Sequence, residues 1–236
     1  MMGLTTMQTT PDVHNDQETW DRIAKSFDST RTKTWEECIN FIQQKKQKGI
    51  AVDLGCGNGR HLIPLAQTYH HAIGVDFSRK LLIITKQKIN QLKLNNTLLL
   101  QASLTHLPLF SDSVTTVLYI AALHNIRTKE LRIKSLKELR RILTKEGNAL
   151  ISVWARNQPR FQKKIYEEKP NHSLEEGDII LYWRQHQLNI PRFYHLYTKE
   201  EFISDLKEAN LQIQDVKDAY ITSKTKPDNY FAIVSP

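Results

Sequence analysis

Residues 52–61 read Val-Asp-Leu-Gly-Cys-Gly-Asn-Gly-Arg-His, and this glycine-rich turn limits what the chain can fold into more than any other stretch. Ile50, Ala51 and Val52 make a short apolar β run, Asp53 follows, glycines stand at 55, 57 and 59, and an amphipathic pattern starts at Arg60. The order is strand, tight turn, helix. Glycine reaches positive φ without strain and puts no Cβ between backbone and ligand, while the free N–H groups of a helix start attract a polar or anionic group. Seventeen positions past Gly59, Gly74-Val75-Asp76 closes a second apolar run. An acid at the end of that second strand can accept hydrogen bonds from both hydroxyls of a ribose, so the two features together predict a nucleoside ligand.

Two cofactor classes use this plan, and the spacing separates them. Dinucleotide loops read G-x-G-x-x-G and aim a helix at a pyrophosphate, whereas here the third glycine comes one residue early and Asp53 stands two residues before the first. A carboxylate there would repel a pyrophosphate and suits the ammonium of a methionine moiety. The pattern therefore favours S-adenosylmethionine, held by Asp53, Gly55, Gly57, Gly59 and Asp76.

Hydrophobic periodicity extends the plan along the chain. Helices are predicted over 18–28, 35–48, 59–69, 79–93, about 130–143 and 198–209. Strands are predicted over 50–54, 71–76, 97–102, 114–120, 147–154, 211–218 and 229–234. Alternation of this kind predicts an α/β fold with a doubly wound, mostly parallel sheet. Residues 155–195 break the rhythm, with prolines at 159, 170 and 191, and read as an inserted cap or substrate loop. The expected organisation is a loosely ordered stretch over 1–17 followed by one domain over 18–236, a length within reach of a single core.

The chain has two cysteines, Cys38 and Cys56, too few for a disulfide framework. The start lacks a basic prefix followed by an apolar core, so neither a signal peptide nor a membrane anchor is expected, and a cytoplasmic location is the simplest reading. The net charge of +8 is compatible with a polyanionic partner. On the helix near 130–143 the apolar residues keep helical spacing and leave Arg132, Lys137, Arg140 and Arg141 for solvent or a partner, and Lys45, Lys46 and Lys48 form a second basic cluster.

These stretches carry a resemblance. Asp53-Leu-Gly-Cys-Gly-Asn-Gly59, Gly74-Val-Asp76, Leu107-Pro-Leu109, Ile120-Ala-Ala-Leu-His-Asn125 and Asn148-Ala-Leu-Ile-Ser-Val-Trp-Ala155 are similar to the successive motifs of the class I methyltransferases. Thr30-Arg31 with Trp35, Arg192-Phe-Tyr-His-Leu-Tyr197 and Asp228-Asn-Tyr230 narrow it to enzymes that esterify 5-carboxymethyluridine at the tRNA wobble position, including the methyltransferase domain of the AlkB-homologue fusion enzymes. The resemblance implies a Rossmann-like class I methyltransferase fold, a tRNA anticodon loop as substrate, and Arg31, His124, Arg192, Tyr194 and His195 as the residues that orient the nucleotide and its carboxylate. Such a nucleophile is ionised at neutral pH and needs no general base, only placement and charge recognition by guanidinium and imidazole donors.

The chain departs from the common pattern at Ser103, where class I enzymes often carry an acid for the adenine amino group; a hydroxyl accepts more weakly. The resemblance also implies a small zinc-binding activator. The third strand is expected at a sheet edge, where Leu98, Leu99 and Leu100 would form an apolar rim open to strand addition, so a heterodimer through residues 98–101 and the helix at 81–84 is expected. No metal ligands are expected in the chain itself. Two other functions share the cofactor motifs: a small-molecule methyltransferase, and a non-catalytic relative that binds S-adenosylmethionine or RNA.

Overall fold

The computed structural model describes residues 16–44, 49–158, 160–161, 175–223 and 225–236. Residues 1–15, the Lys45, Lys46 and Lys48 cluster, and Pro159 and Pro170 of the insertion lie outside them, while Asp16 and Gln17 already form the first turn of a helix.

Seven strands build the main sheet. They are β1 (Ile50–Leu54), β2 (His71–Asp76), β3 (Thr97–Gln101), β4 (Val114–Ile120), β5 (Leu143–Trp154), β8 (Gln212–Ala219) and β9 (Asn229–Ser235), with β6 and β7 lying in the insertion. The order across the sheet is β3-β2-β1-β4-β5-β9-β8. β1 to β5 run parallel, and β9 is antiparallel to both of its neighbours. The order reverses at β1 and β4, whose carboxyl ends are where an open α/β sheet binds its ligand.

Helices α2 (Glu36–Gln44), α3 (Leu62–Thr68) and α4 (Arg79–Gln91) have apolar residues in the core on one side of the sheet, while α5 (Lys129–Ile142) and α6 (Lys199–Glu208) contribute to the other core. Local chemistry sets their ends. Gly59 has φ +81°, outside the right-handed helical region, so α3 starts three residues later than the sequence pattern predicts. Ser78 and Thr128 cap α4 and α5 by accepting from the N–H groups of Leu81 and Leu131, and Thr198 with Glu201 forms a capping box on α6. β5 begins at Leu143, four residues earlier than expected, because Leu143 pairs with Val114 before a register shift near Thr116.

The basic face of α5 needs a correction. Arg132 is not left for solvent: its side chain is fully buried, donates to the carbonyl of Arg127 at 2.6 Å and is ion-paired with Glu175 of the insertion. Arg141 is also engaged, donating to the carbonyls of Leu107 and Leu109 and to Glu138.

The insertion contributes an antiparallel hairpin, β6 (Asp178–Trp183) with β7 (Ile190–His195). Helix α1 (Asp16–Thr30) ties this hairpin to α4 and the end of β2. Its Ser26 hydroxyl accepts from the Trp183 indole at 2.8 Å and pairs with His186 Nδ1 at 2.7 Å. Farther along, Asp21 accepts from the Ser78 hydroxyl at 2.6 Å and Asp28 pairs with Lys88 of α4. Arg127 grips Asp16 with two nitrogens, at 3.0 and 2.8 Å.

Candidate active site

A cavity of about 460 Å3 opens at the carboxyl edge of the sheet, between the glycine turn, α1 and the hairpin. Gly55, Cys56 and Gly57 line it beside Asp76, Phe77, Ser103 and Leu104, and the remaining wall includes Arg31, His124, Trp154, Arg192 and Tyr194.

The turn requires glycine at two of its positions. At Gly55, φ is +73° and an added Cβ would stand 2.4 Å from that of Ala122. At Gly57, φ is +53° and a Cβ would meet nothing closer than 3.6 Å, so the turn is open on its cavity side. Asp76 is oriented by the turn itself: Oδ2 accepts from Gly57 N–H at 2.9 Å and Oδ1 from Ser78 N–H at 2.8 Å. Each oxygen keeps a lone pair for a hydroxyl. Burial pushes the Asp76 carboxyl up to about 6, against the backbone hydrogen bonds that favour its charge. The Ser103 hydroxyl lines the cavity but already pairs with Thr105, accepting from its N–H and sharing a hydrogen bond with its hydroxyl.

Asp53 lies beneath the turn, buried, and does not line the cavity. Burial drives its carboxyl up to about 7, opposed by Arg60 and reinforced by Asp76. Its Oδ2 is buried without a hydrogen-bond partner, and the side chain does not itself form part of the cavity wall. Gly59 is also behind the wall, where its missing Cβ makes room for Thr85.

On the other side of the cavity, two guanidiniums lie among aromatic rings. Arg192 has its guanidinium carbon 4.7 Å from the Trp183 ring centroid, 4.9 Å from Tyr194 and 5.7 Å from Trp20. It donates to the Tyr194 hydroxyl, while its buried Nε has no partner. Arg31 lies 5.6 Å from Trp183 and 5.9 Å from Phe27. Among the described residues no carboxylate is ion-paired with either guanidinium. Two cations without an acid, among flat rings, have the chemistry to receive a planar anion.

His124 has a defined protonation state. Its Nδ1 accepts the backbone N–H of Trp154 at 3.0 Å, so the ring proton sits on Nε2, which is buried and unpartnered. Burial, with His195 and Arg192 nearby, lowers its pKa to about 3. At neutral pH it is an uncharged donor. Asn125 next to it donates to the carbonyls of Ala121 and Ala122 at 3.0 and 3.2 Å, which turns its own unpartnered Oδ1 the other way. Sequence reasoning missed Asn125 as a polar group of the cavity, although it lies within a quoted motif. It also missed Arg60 and His61 in the wall, and Asn58, whose amide holds Asp28 and the carbonyl of Arg31 to the turn at 2.8 Å each.

His195 corrects the expectation drawn from its motif. Its ring is fully buried, Nδ1 bonds Asp178 at 2.7 Å and Nε2 bonds Glu201 at 2.8 Å, and it does not line the cavity. No nitrogen is left for a substrate. His195 joins the hairpin to the start of α6. Glu175, Asp178 and His195 are close enough to share a cation, but their polar atoms are already taken by Arg132, by the backbone and by one another.

The sheet order defines a class I methyltransferase fold with a cavity at the carboxyl edge of the sheet, and residues 51–147 match the family model of the methyltransferase domain. Within that class the chain resembles the tRNA carboxymethyluridine methyltransferases. It is 33% identical over 150 residues to the mouse tRNA (carboxymethyluridine(34)-5-O)-methyltransferase ALKBH8, covering 63% of this chain and 21% of that protein. With the Schizosaccharomyces pombe tRNA (carboxymethyluridine(34)-5-O)-methyltransferase the identity is 27% over 204 residues, covering 78% of this chain and 82% of the other. The chain spans about a third of the length of the mammalian proteins named "Probable tRNA methyltransferase 9B" that it also matches, at 26% identity for the human one. Among solved structures, a Methanosarcina mazei SAM-dependent methyltransferase superposes with a TM-score of 0.73 at 16% identity, covering 86% of this chain and 97% of that one. A Haloferax volcanii putative methyltransferase in complex with the Trm112 methyltransferase activator matches with a TM-score of 0.64 at 15% identity, covering 94% and 96%. These two likenesses carry the fold.

S-adenosylmethionine fits the residues present. The free lone pairs of Asp76 and the open cradle at Gly57 match its ribose and its close approach to the turn.

Proposed function

We propose that this protein esterifies the carboxylate of 5-carboxymethyluridine at the tRNA wobble position, giving 5-methoxycarbonylmethyluridine. The observation that carries this reading is the pair Arg31 and Arg192, held by aromatic rings without an acid partner, beside the neutral Nε2–H of His124. S-adenosylmethionine supplies an electrophilic methyl group when bound, and a carboxylate acceptor loses no proton on accepting it.

Asp76 holds the ribose hydroxyls, Gly55 and Gly57 let the backbone approach, and Ser103 stands at the adenine end. Arg31 and Arg192 orient the carboxylate. A neutral His124 donor holds one oxygen less tightly than an imidazolium would, which leaves the nucleophile more reactive, because a donor that grips the ground state harder than the transition state slows the step. Tyr194 fixes the Arg192 fork and presents its ring.

A small zinc-binding activator is the proposed partner, seated on the edge strand β3. Leu98 is 53% exposed there and Ile83 of α4 is 49% exposed beside it, a shallow apolar groove along a strand paired on one side only. A cytoplasmic location accords with this reading; among the described residues no helix is long and apolar enough to cross a membrane.

The test is mass spectrometry of wobble nucleosides from tRNA carrying 5-carboxymethyluridine, incubated with S-adenosylmethionine, this chain and the activator. A gain of one methyl, removed by mild base, is the expected result. No gain while cofactor binds would sink the proposal. For the partner, Leu98→Glu should abolish co-purification, and unchanged co-purification would rule out the β3 edge.

A further inference from the structure

One cation beside the site has no part in the chemistry above. Arg160 has its guanidinium carbon 5.3 Å from the Trp154 ring centroid and 4.5 Å from that of Phe161. Its Nε donates to Gln158 Oε1 at 2.8 Å, and Gln158 is itself buried and anchored by donating to the carbonyls of Ala155 and Asp228 at 2.8 and 2.9 Å. Orientation is therefore fixed through Nε, and both Nη nitrogens are without a partner among the described residues. Asp228 is the acid whose field reaches Arg160, but its carboxylate is committed to Ile221, Thr222 and Ser223.

Trp154 separates Arg160 from the cavity. It lines the cavity and stacks on Tyr194 at 4.6 Å with 6° between the planes, and Arg192 lies against Tyr194. The row thus runs Arg160, Trp154, Tyr194, Arg192, Trp183, Arg31, with two rings between the first two cations and one between the last two. All three guanidiniums act on the Tyr194 hydroxyl. One carboxylate inside the cavity accounts for Arg31 and Arg192. Arg160, two rings from Arg192 and on the far side of Trp154, is left for a different anion.

A nucleotide in RNA provides that arrangement: its carboxymethyl arm is on the base, its phosphodiester on the sugar, and the base plane lies between. The two free Nη groups match two phosphate oxygens, and an aromatic face beside them suits an unstacked base. We propose that Arg160 binds a phosphodiester flanking the target uridine, with Trp154 dividing this phosphate site from the carboxylate site. The inference rests on the reading that the methyl acceptor lies within RNA.

The experiment measures binding of an anticodon stem-loop carrying 5-carboxymethyluridine to the full chain with S-adenosylhomocysteine, by fluorescence anisotropy across a salt series. Arg160→Ala should weaken binding about tenfold and flatten the slope of log Kd against log salt by about 0.7, the loss of one phosphate contact on a single strand. Arg160→Lys should restore the slope while recovering only part of the affinity, since the planar fork is gone. A neutral methylphosphonate at one of the two flanking phosphates should weaken the wild type and leave Arg160→Ala unchanged. S-adenosylhomocysteine affinity serves as the folding control, because Arg160 lies outside the cavity. An unchanged salt slope, or methylphosphonates on both flanks that weaken wild type and variant equally, overturns the proposal. Normal RNA binding and slope change without methyl transfer would overturn the proposed reaction and leave the phosphate contact standing.

Discussion

Replacing His195 by alanine separates a structural from a catalytic role. Burial opposes a charge on the ring, but the hydrogen bonds to Asp178 and Glu201 outweigh it and raise its pKa above 6.5. The ring is 0% exposed and the Asp178 side chain 3% exposed, so His195→Ala strands a buried carboxylate with one remaining donor, the N–H of Glu175. Breaking a buried pair from one side costs about 3–5 kcal/mol. Glu201 adds little, since its side chain is 27% exposed and keeps Arg156. Taking about 3 kcal/mol, and about 2–4 °C per kcal/mol for a chain of this size, Tm should fall by about 6–12 °C. A histidine with a raised folded pKa gives stability that is fully present below the unfolded value near 6.5 and is lost as pH rises through the folded one. Urea unfolding should therefore show the largest gap between wild type and variant at pH 5.5–6.5, narrowing toward pH 9, with S-adenosylhomocysteine affinity retained. A gap under about 1 kcal/mol, or one constant across that range, would refute the reasoning, as would a fully stable variant that has lost turnover.

Other expectations follow from the same geometry. Gly55→Ala combines a left-handed backbone penalty with a clash against Ala122, about 2–5 kcal/mol together, and should show in calorimetry as a lower Tm and lost cofactor binding; near-native affinity would count against the turn geometry. Because Asp76 titrates near 6 in the folded protein, S-adenosylhomocysteine affinity should drop as pH falls from 7 to 5, and Asp76→Asn should lose that dependence along with affinity. The same raised acid makes its contribution to stability decline as pH rises from its unfolded value toward 6, since the folded state holds the extra proton. His124 titrates near 3, so the pH–rate profile should carry no limb near 6.5 from this residue, and a limb there that disappears in His124→Gln would show that the ring acts as a base.

The strand-turn-helix unit was legible because apolar periodicity and glycine spacing are local signals, and they carried the sheet with its edge strand. Residues whose partners are distant in sequence were not. His195 read as a substrate donor because its motif says nothing of Asp178, 17 residues away, or Glu201 on the next helix. Arg132 read as surface because helical spacing cannot reveal Glu175, 43 residues along, in the segment with the weakest pattern. Asp53 carries the signature acid of the turn, yet its burial and the unpartnered Oδ2 could not be read from the spacing. Asn125 escaped notice because only its two carbonyl acceptors reveal which amide atom faces away from the backbone.

The two thiols offer a view of how the molecule opens. Cys38 on α2 and Cys56 inside the glycine turn are both buried and free, and desolvation holds both pKa values above that of an ordinary thiol. Neither can react at an appreciable rate until its surroundings part, so alkylation of each reports a local opening equilibrium. Cys56 also lines the cavity, and a bound ligand should slow its labelling by the factor 1 + [L]/Kd while Cys38 responds less. The unmodified sequence therefore contains its own pair of probes, one on the cofactor turn and one on a neighbouring helix, for measuring which part yields first.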